Sequence, residues 1–269
     1  MPAAYTHDSF GKDVLRRLPE REAAIIRSKY NLFAIGLQGP DVFFYYHPVW
    51  KNPISEMGHQ IHRESGETFI RRMAKTAALR GFPDADLSFI YGNICHYALD
   101  RQCHGNIFHW QEISGAEHAM IEGQMDRALM LRNGEDPLLT MPARHIHPDR
   151  KAAELLHLYY PELSEKRLLA VLRSFRSFNK FLTMPEAWKR RVVYALMKRI
   201  GVYDSLRGHF IDREADPACE PDMEELLALY DGAIDMAVML VERFRDMAED
   251  RETWSPLYGM NFESDYGKL

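Results

Sequence analysis

The sequence predicts an all-α protein, a compact multi-helix bundle. Three observations lead there. Strand-like alternation bounded by Asn-Gly or Asp-Gly turns is hard to find. Helix start and stop signals recur along the chain. Between them, apolar residues return at three- and four-residue spacing. The 269 residues are 46% hydrophobic and 27% charged, a globular composition with length enough for a sizeable core. Disordered, collagen-like and coiled-coil classes are excluded on that ground.

Pro19 occupies a first-turn position ahead of Glu20, Glu22, Ile25 and Ile26, and Gly36 reads as the stop. Phe69, Ile70, Met73 and Ala77 share one face of a helix ending near Gly81. Asp84 or Asp86 can cap the next helix, which carries Phe89, Ile90, Ile94, Tyr97 and Leu99 and is expected to fray at His104–Gly105. Ser114-Gly-Ala-Glu117 has the form of a capping box, and Asn133-Gly134 closes the helix it opens. Residues 133–150, with Pro137, Pro142 and Pro148, form the longest connection. Ser164 starts a helix with Leu168, Val171, Leu172, Phe175 and Leu182 at helical spacing. Thr183-Met-Pro-Glu186 is a second capping box, and Gly201 ends its helix. Pro221 opens the last long helix, with Leu226, Leu229, Ile234, Val238 and Val241. One domain over residues 1–269 is expected, because Leu138-Leu139-Thr140-Met141 is too apolar for a linker.

No apolar run approaches the roughly 18 uncharged residues of a membrane span. No apolar segment precedes Lys12, Arg16 and Arg17, so no signal peptide is read. Three Cys are too few for a disulfide framework and point to a reducing compartment. A cytoplasmic location is the expectation. The net charge of −5 conceals a segregation: residues 165–200 carry ten Lys/Arg against two Glu, and residues 213–250 twelve Asp/Glu against three Arg. The favoured explanation is two helices packed with complementary faces; a basic surface for phosphate-rich partners is the alternative.

The unusual count is 12 His. His96, Asp100 and His104 stand at i, i+4 and i+8, one stripe of a helix. A metal needs donors converging on a point, and this spacing supplies them from one element. The two oxygens of an Asp between two His can each serve an ion. His118 and Glu122 repeat the i, i+4 pair on the following helix, expected to lie antiparallel across a connection at Asn106–Ile113. Five imidazoles and carboxylates in a helical core are costly to desolvate without a metal.

With these residues in view, the sequence resembles the zinc-dependent phospholipase C family, related to fungal-type single-strand nucleases. The resemblance runs through Ala4-Tyr-Thr-His7, Gly36-Leu-Gln-Gly-Pro-Asp41 with Phe43-Phe44-Tyr45-Tyr46, then Gly58 and His62, then Ile94-Cys-His96-Tyr-Ala-Leu-Asp100 with His104, and His118-Ala-Met-Ile-Glu122. It covers roughly residues 2–132, with Asn261-Phe262-Glu263 as a tail echo, so that 1–132 is the metal-binding half and 150–269 a helical continuation. It implies a cluster of up to three divalent ions, usually zinc, with manganese or iron as alternatives. By the resemblance, Asp41, His62, His96 and Asp100 hold the first ion, and His104, His118 and Glu122 the second. His7, Asp100 and the N-terminal amine and carbonyl hold the third, the amine in this chain being that of Pro2 after loss of Met1. Asp41 is also implied as the residue that orients or deprotonates water. Tyr45 and Tyr46 are candidates for the substrate mouth, with Phe43 and Phe44 read as packing. Asp126 is a candidate for orienting an imidazole.

The expected activity is metal-dependent hydrolysis of a phosphodiester, with phospholipid as substrate by the resemblance. A nuclease or nucleotidase with the same cluster is the first alternative, disfavoured by the −5 charge. The second is a non-catalytic helical protein stapled by metal; the surplus of donors over one closed four-ligand site speaks against it.

Overall fold

The computed structural model describes residues 4–264, without the side chains of 220–222. Among the described residues there are twelve α-helices and no strand. They are α1 (Ala4–Arg17), α2 (Glu20–Ser28), α3 (Tyr30–Leu37), α4 (Pro53–Arg63), α5 (Gly66–Ala78), α6 (Asp84–Ser114), α7 (His118–Arg132), α8 (Arg150–Tyr159), α9 (Glu165–Leu182), α10 (Ala187–Arg199), α11 (Tyr203–Arg207) and α12 (Glu220–Ala248). Short 3₁₀ turns follow α3 (Gly39–Phe43) and α12 (Pro256–Tyr258). The all-α expectation holds.

Helix α6 is the axis. Its residues are buried almost continuously from Asp86 to Asp100, and α1, α2, α3, α5, α7 and α12 all pack on it. A helix enclosed on every side has no polar face to spare, so the polar residues at its centre must be satisfied by something inside the protein. It does not fray at His104–Gly105 but continues through 31 residues to Ser114, stopping at Gly115 in the left-handed conformation. The turn to α7 is therefore Gly115–Glu117, not Asn106–Ile113. The capping box expected there does not form: the Ser114 hydroxyl donates to the Trp110 carbonyl and accepts from the Ala116 N–H. Thr183 likewise donates back to Asn179 rather than capping α10, and neither Asp84 nor Asp86 caps α6, whose N-cap is Pro83. Ser164 does cap α9, accepting from the Arg167 N–H. Asn133 and Gly134 terminate α7 as expected.

Two glycines set the crossing of α3 over α6. A methyl on Gly36 would lie 2.3 Å from the Phe89 carbonyl, and one on Gly92 would lie 2.3 Å from the Phe33 carbonyl. Gly36 is thus a contact point with α6, and α3 runs past it to Leu37. This approach brings the Leu37 carbonyl to His96.

The main hydrophobic core draws on both halves of the chain, from Phe10 and Ile94 to Leu172, Leu240 and Phe262. A smaller cluster of Leu182, Met197 and Phe210 lies under α10. Among the described residues, no ion pair joins the basic segment 165–200 to the acidic segment 213–250. Complementary packing of the two is therefore not what the charge segregation serves: α9 packs on α8, α10 on α11, and α12 on α6, α1, α7 and α5.

Candidate metal centre

Four helices and one 3₁₀ turn bring their donors together. α1 contributes His7, the Gly39–Phe43 turn Asp41, and the last turn of α4 His62. α6 contributes His96, Asp100 and His104, and the start of α7 His118 and Glu122. One donor atom from each of Asp41, His62, His96 and Asp100 lies within 4.8 Å of the others, and so do donors of His104, His118 and Glu122.

Asp100 stands at the centre. Its Oδ2 is 3.2 Å from His96 Nε2, 3.7 Å from His62 Nε2 and 3.9 Å from His104 Nδ1. Its Oδ1 faces the other way, 3.3 Å from His7 Nε2. Asp41 Oδ1 is 3.0 Å from His62 Nε2 and 3.7 Å from His96 Nε2. In the second group, Glu122 Oε1 is 2.9 Å from His118 Nε2 and 3.6 Å from His104 Nε2. The rings of His7 and His96 stack at 4.3 Å.

The imidazoles are oriented by backbone. His62 Nδ1 meets the Gly58 carbonyl at 2.9 Å, His96 Nδ1 the Leu37 carbonyl at 3.2 Å, and His104 Nδ1 the Phe262 carbonyl at 2.8 Å. A carbonyl can only accept, so each Nδ1 carries the hydrogen and each Nε2 is left with its lone pair toward the cluster. Meanwhile, Nε2 of His7, His62 and His96, Oδ1 of Asp41 and both oxygens of Asp100 are buried without an aligned hydrogen bond. Such groups cost several kcal/mol when left unpaired. Lone pairs of nitrogen and carboxylate oxygen aimed at shared points are what a divalent cation requires, so the residues fit a metal.

Electrostatics agrees. Burial by itself would depress the His62 imidazole, but close contact with the Asp100 and Asp41 carboxylates, and their charge, push it up to about 10. Burial drives the Asp100 carboxyl upward, yet the imidazoles of His96 and His104 and the contacts with His62 and His7 hold it well below the usual range. The cluster thus demands positive charge, which a divalent ion provides without protonating a ligand.

Asp126 does not orient an imidazole. It accepts from the N–H groups of Tyr5 and Thr6 at 3.2 and 2.7 Å and from the Thr6 hydroxyl at 2.6 Å. It therefore fixes the first turn of α1, and His7 with it. The same turn is tied down by Gln38, whose amide donates to the Ala4 carbonyl and lies 2.9 Å from His145 Nε2. Pro2, which the family resemblance implies as a ligand, lies outside the described residues.

Beside the centre is a cavity of about 260 Å³, lined in part by Phe44, Tyr45, Trp50, His59, Phe178 and His209. Tyr45 and His209 also line a narrow cleft that reaches Glu122. Burial, and then the charges of Asp41 and Glu122, raise the Tyr45 phenol above its ordinary value. Tyr46 takes a hydrogen bond from Arg167 and does not line this cavity. Phe43 is core, while Phe44 packs on His59 and His62. His59 and His47 stay outside both donor groups. His209 is on the cavity wall; no spacing in the sequence marks it. Cys95 and Cys103 are buried free thiols, raised by burial and inert.

Fold and donor set together define a helical protein with a buried histidine–carboxylate centre able to hold metal. Residues 6–179 match the model of the zinc dependent phospholipase C family, and the chain belongs to that family. All eight donor residues fall within the matched region. Comparison with curated proteins and with solved structures finds no match.

Proposed function

We propose that the protein is a metal-dependent phosphodiester hydrolase of phospholipase C type. The observation that carries this reading is the set of buried, unpaired Nε2 and carboxylate atoms converging on Asp100 next to an aromatic-lined cavity. Asp41, His62, His96 and Asp100 would hold one zinc ion, His104, His118 and Glu122 a second, and His7 with Asp100 a third. Bound zinc would offset the charge of the diester and make water acidic enough to attack it. Asp41 would receive the proton from the attacking water: it is the donor on the turn that leads directly into Phe44 and Tyr45, two residues of the cavity wall. Tyr45 and His209 flank the cleft between the cavity and Glu122, so they position the ester group; the aromatic wall accepts the apolar or cationic remainder of the substrate. The cavity also disfavours a purely structural centre. The shared core, which runs from α1 to Phe262, supports a single unit across both halves.

The test is a substrate panel on zinc-loaded protein: phosphatidylcholine, a chromogenic phosphocholine ester, single-stranded RNA and a 3′-nucleotide. Hydrolysis of the first two is expected. Turnover of RNA or nucleotide instead would replace the lipid reading with the nuclease one. No turnover at full metal content would leave a structural centre.

A further inference from the structure

Helix α10 lies beyond the residues matched to the family and contributes no residue to either donor group. Its inner face is conventional: Val193, Tyr194 and Met197 pack on Phe210, and Arg190 pairs with Asp212. Its outer face is not. Trp188, Val192, Leu196 and Ile200 follow one another at four-residue steps and are 57–65% exposed. Soluble surfaces rarely keep such a continuous apolar stripe uncovered. Flanking the stripe are Arg191, Lys198 and Arg199, all exposed; Arg191 and Arg199 have no acidic partner among the described residues. The preceding helix adds Arg173, Arg176 and Lys180, exposed and likewise without ion pairs among the described residues.

We propose that α10 is a docking helix that lies in the surface of an anionic lipid bilayer, with Trp188, Val192, Leu196 and Ile200 inserted at the headgroup boundary. The occupant follows from the chemistry of this surface. An apolar face bordered by unneutralised Lys and Arg, with an indole at one end, suits an interface that is apolar below and negatively charged above. A second copy fits less well, since a two-fold pairing of α10 would set its cations against each other. Position supports the assignment as well. Phe178 and Leu206 line the cavity and also pack with the cluster under α10. Trp50, 72% exposed, stands on the rim of the same cavity beside Lys51. A protein resting on α10 would therefore hold its cavity close to the headgroups. This rests on the phospholipase reading, and names the surface on which that site works.

The experiment is sedimentation of the full, zinc-loaded chain with phosphatidylcholine vesicles, with and without phosphatidylserine. Hydrolysis of a water-soluble bis-aryl phosphodiester is measured on the same samples. Wild type is expected to sediment with the anionic vesicles, and less so as salt rises. Leu196→Glu, at an exposed site, is expected to weaken that binding at least tenfold and leave soluble-diester turnover unchanged. Arg191→Glu with Arg199→Glu should abolish the preference for phosphatidylserine. Equal binding by wild type and Leu196→Glu, or no binding by wild type, overturns the proposal. So does a wild-type dimer that Leu196→Glu converts to monomer, because α10 would then be covered by a second copy. Vesicle binding without any diester hydrolysis would instead count against the phospholipase reading and leave the docking helix standing.

Discussion

Replacing Asp100 by Asn changes one oxygen to an amide nitrogen and removes one negative charge, with almost no change in volume. Its two oxygens face opposite sides of the cluster, toward His96 and His62 on one and His7 on the other. An amide can turn its oxygen to only one of them. At about 3.5 Å and an effective dielectric near 20, one unit charge is worth about 5 kcal/mol to each unit of cation charge, so the loss of metal affinity is expected to exceed a thousandfold. The metal-free protein should keep its fold at some cost in stability. There the Asp100 carboxylate is a counter-ion to the raised His62 imidazole, while the Asn NH₂ can still donate to a neutral imidazole nitrogen. Three readings follow from one preparation: zinc per chain by elemental analysis, turnover of a bis-aryl phosphodiester, and far-ultraviolet circular dichroism. Zinc content should fall by at least one equivalent and turnover should vanish, with the helical spectrum preserved. If Asp100→Asn keeps full zinc and turnover within tenfold of wild type, Asp100 does not link the two sides of the centre and the assignment of ligands around it is wrong.

Gly39→Ala tests the scaffold of the site. A Cβ there would lie 2.4 Å from His96 Cδ2, and the backbone is in the left-handed region at φ 48°. About 1–2 kcal/mol of stability should be lost in thermal unfolding, along with zinc from the Asp41–His62–His96–Asp100 group. Chelation should reduce the unfolding free energy of wild type by about 3–4 kcal/mol relative to protein in zinc at hundredfold to thousandfold excess over Kd, and much less for Asp100→Asn. His145 gives a pH signature. Burial lowers its imidazole from 6.5 to about 4, so between those values the unfolded chain binds a proton that the folded one does not. Stability from this group is complete above pH 6.5 and is lost as pH falls toward 4, of order 3 kcal/mol in all. His145→Gln should flatten the acid limb of a urea-denaturation series in chelator; an unchanged slope would assign that limb to other groups.

The ligand helices could be read from the sequence because their chemistry is local. His96, Asp100 and His104 share a stripe by spacing alone, and His118 with Glu122 repeats the pair. What the sequence leaves dark is long-range and made of backbone. The carbonyl of Phe262, 158 residues from His104, fixes that ring, and any residue type has a carbonyl to offer. Asp126 carried the right stripe but the wrong role, since nothing in the spacing tells an imidazole from the free N–H groups of a helix start. The fraying expected at Gly105 failed for a related reason. A glycine in an exposed helix costs about 1 kcal/mol, but here Ser264 caps the gap, accepting from the Gly105 N–H and donating to the Arg101 carbonyl, and tertiary contact outweighs propensity. The closing segment at Asn261–Ser264 is therefore part of the centre's architecture. It holds His104 through Phe262, packs the Phe262 ring on His62 and His96, and keeps α6 continuous between the two donor groups. Truncation before Asn261 should thus release zinc from a chain that still contains every ligand residue.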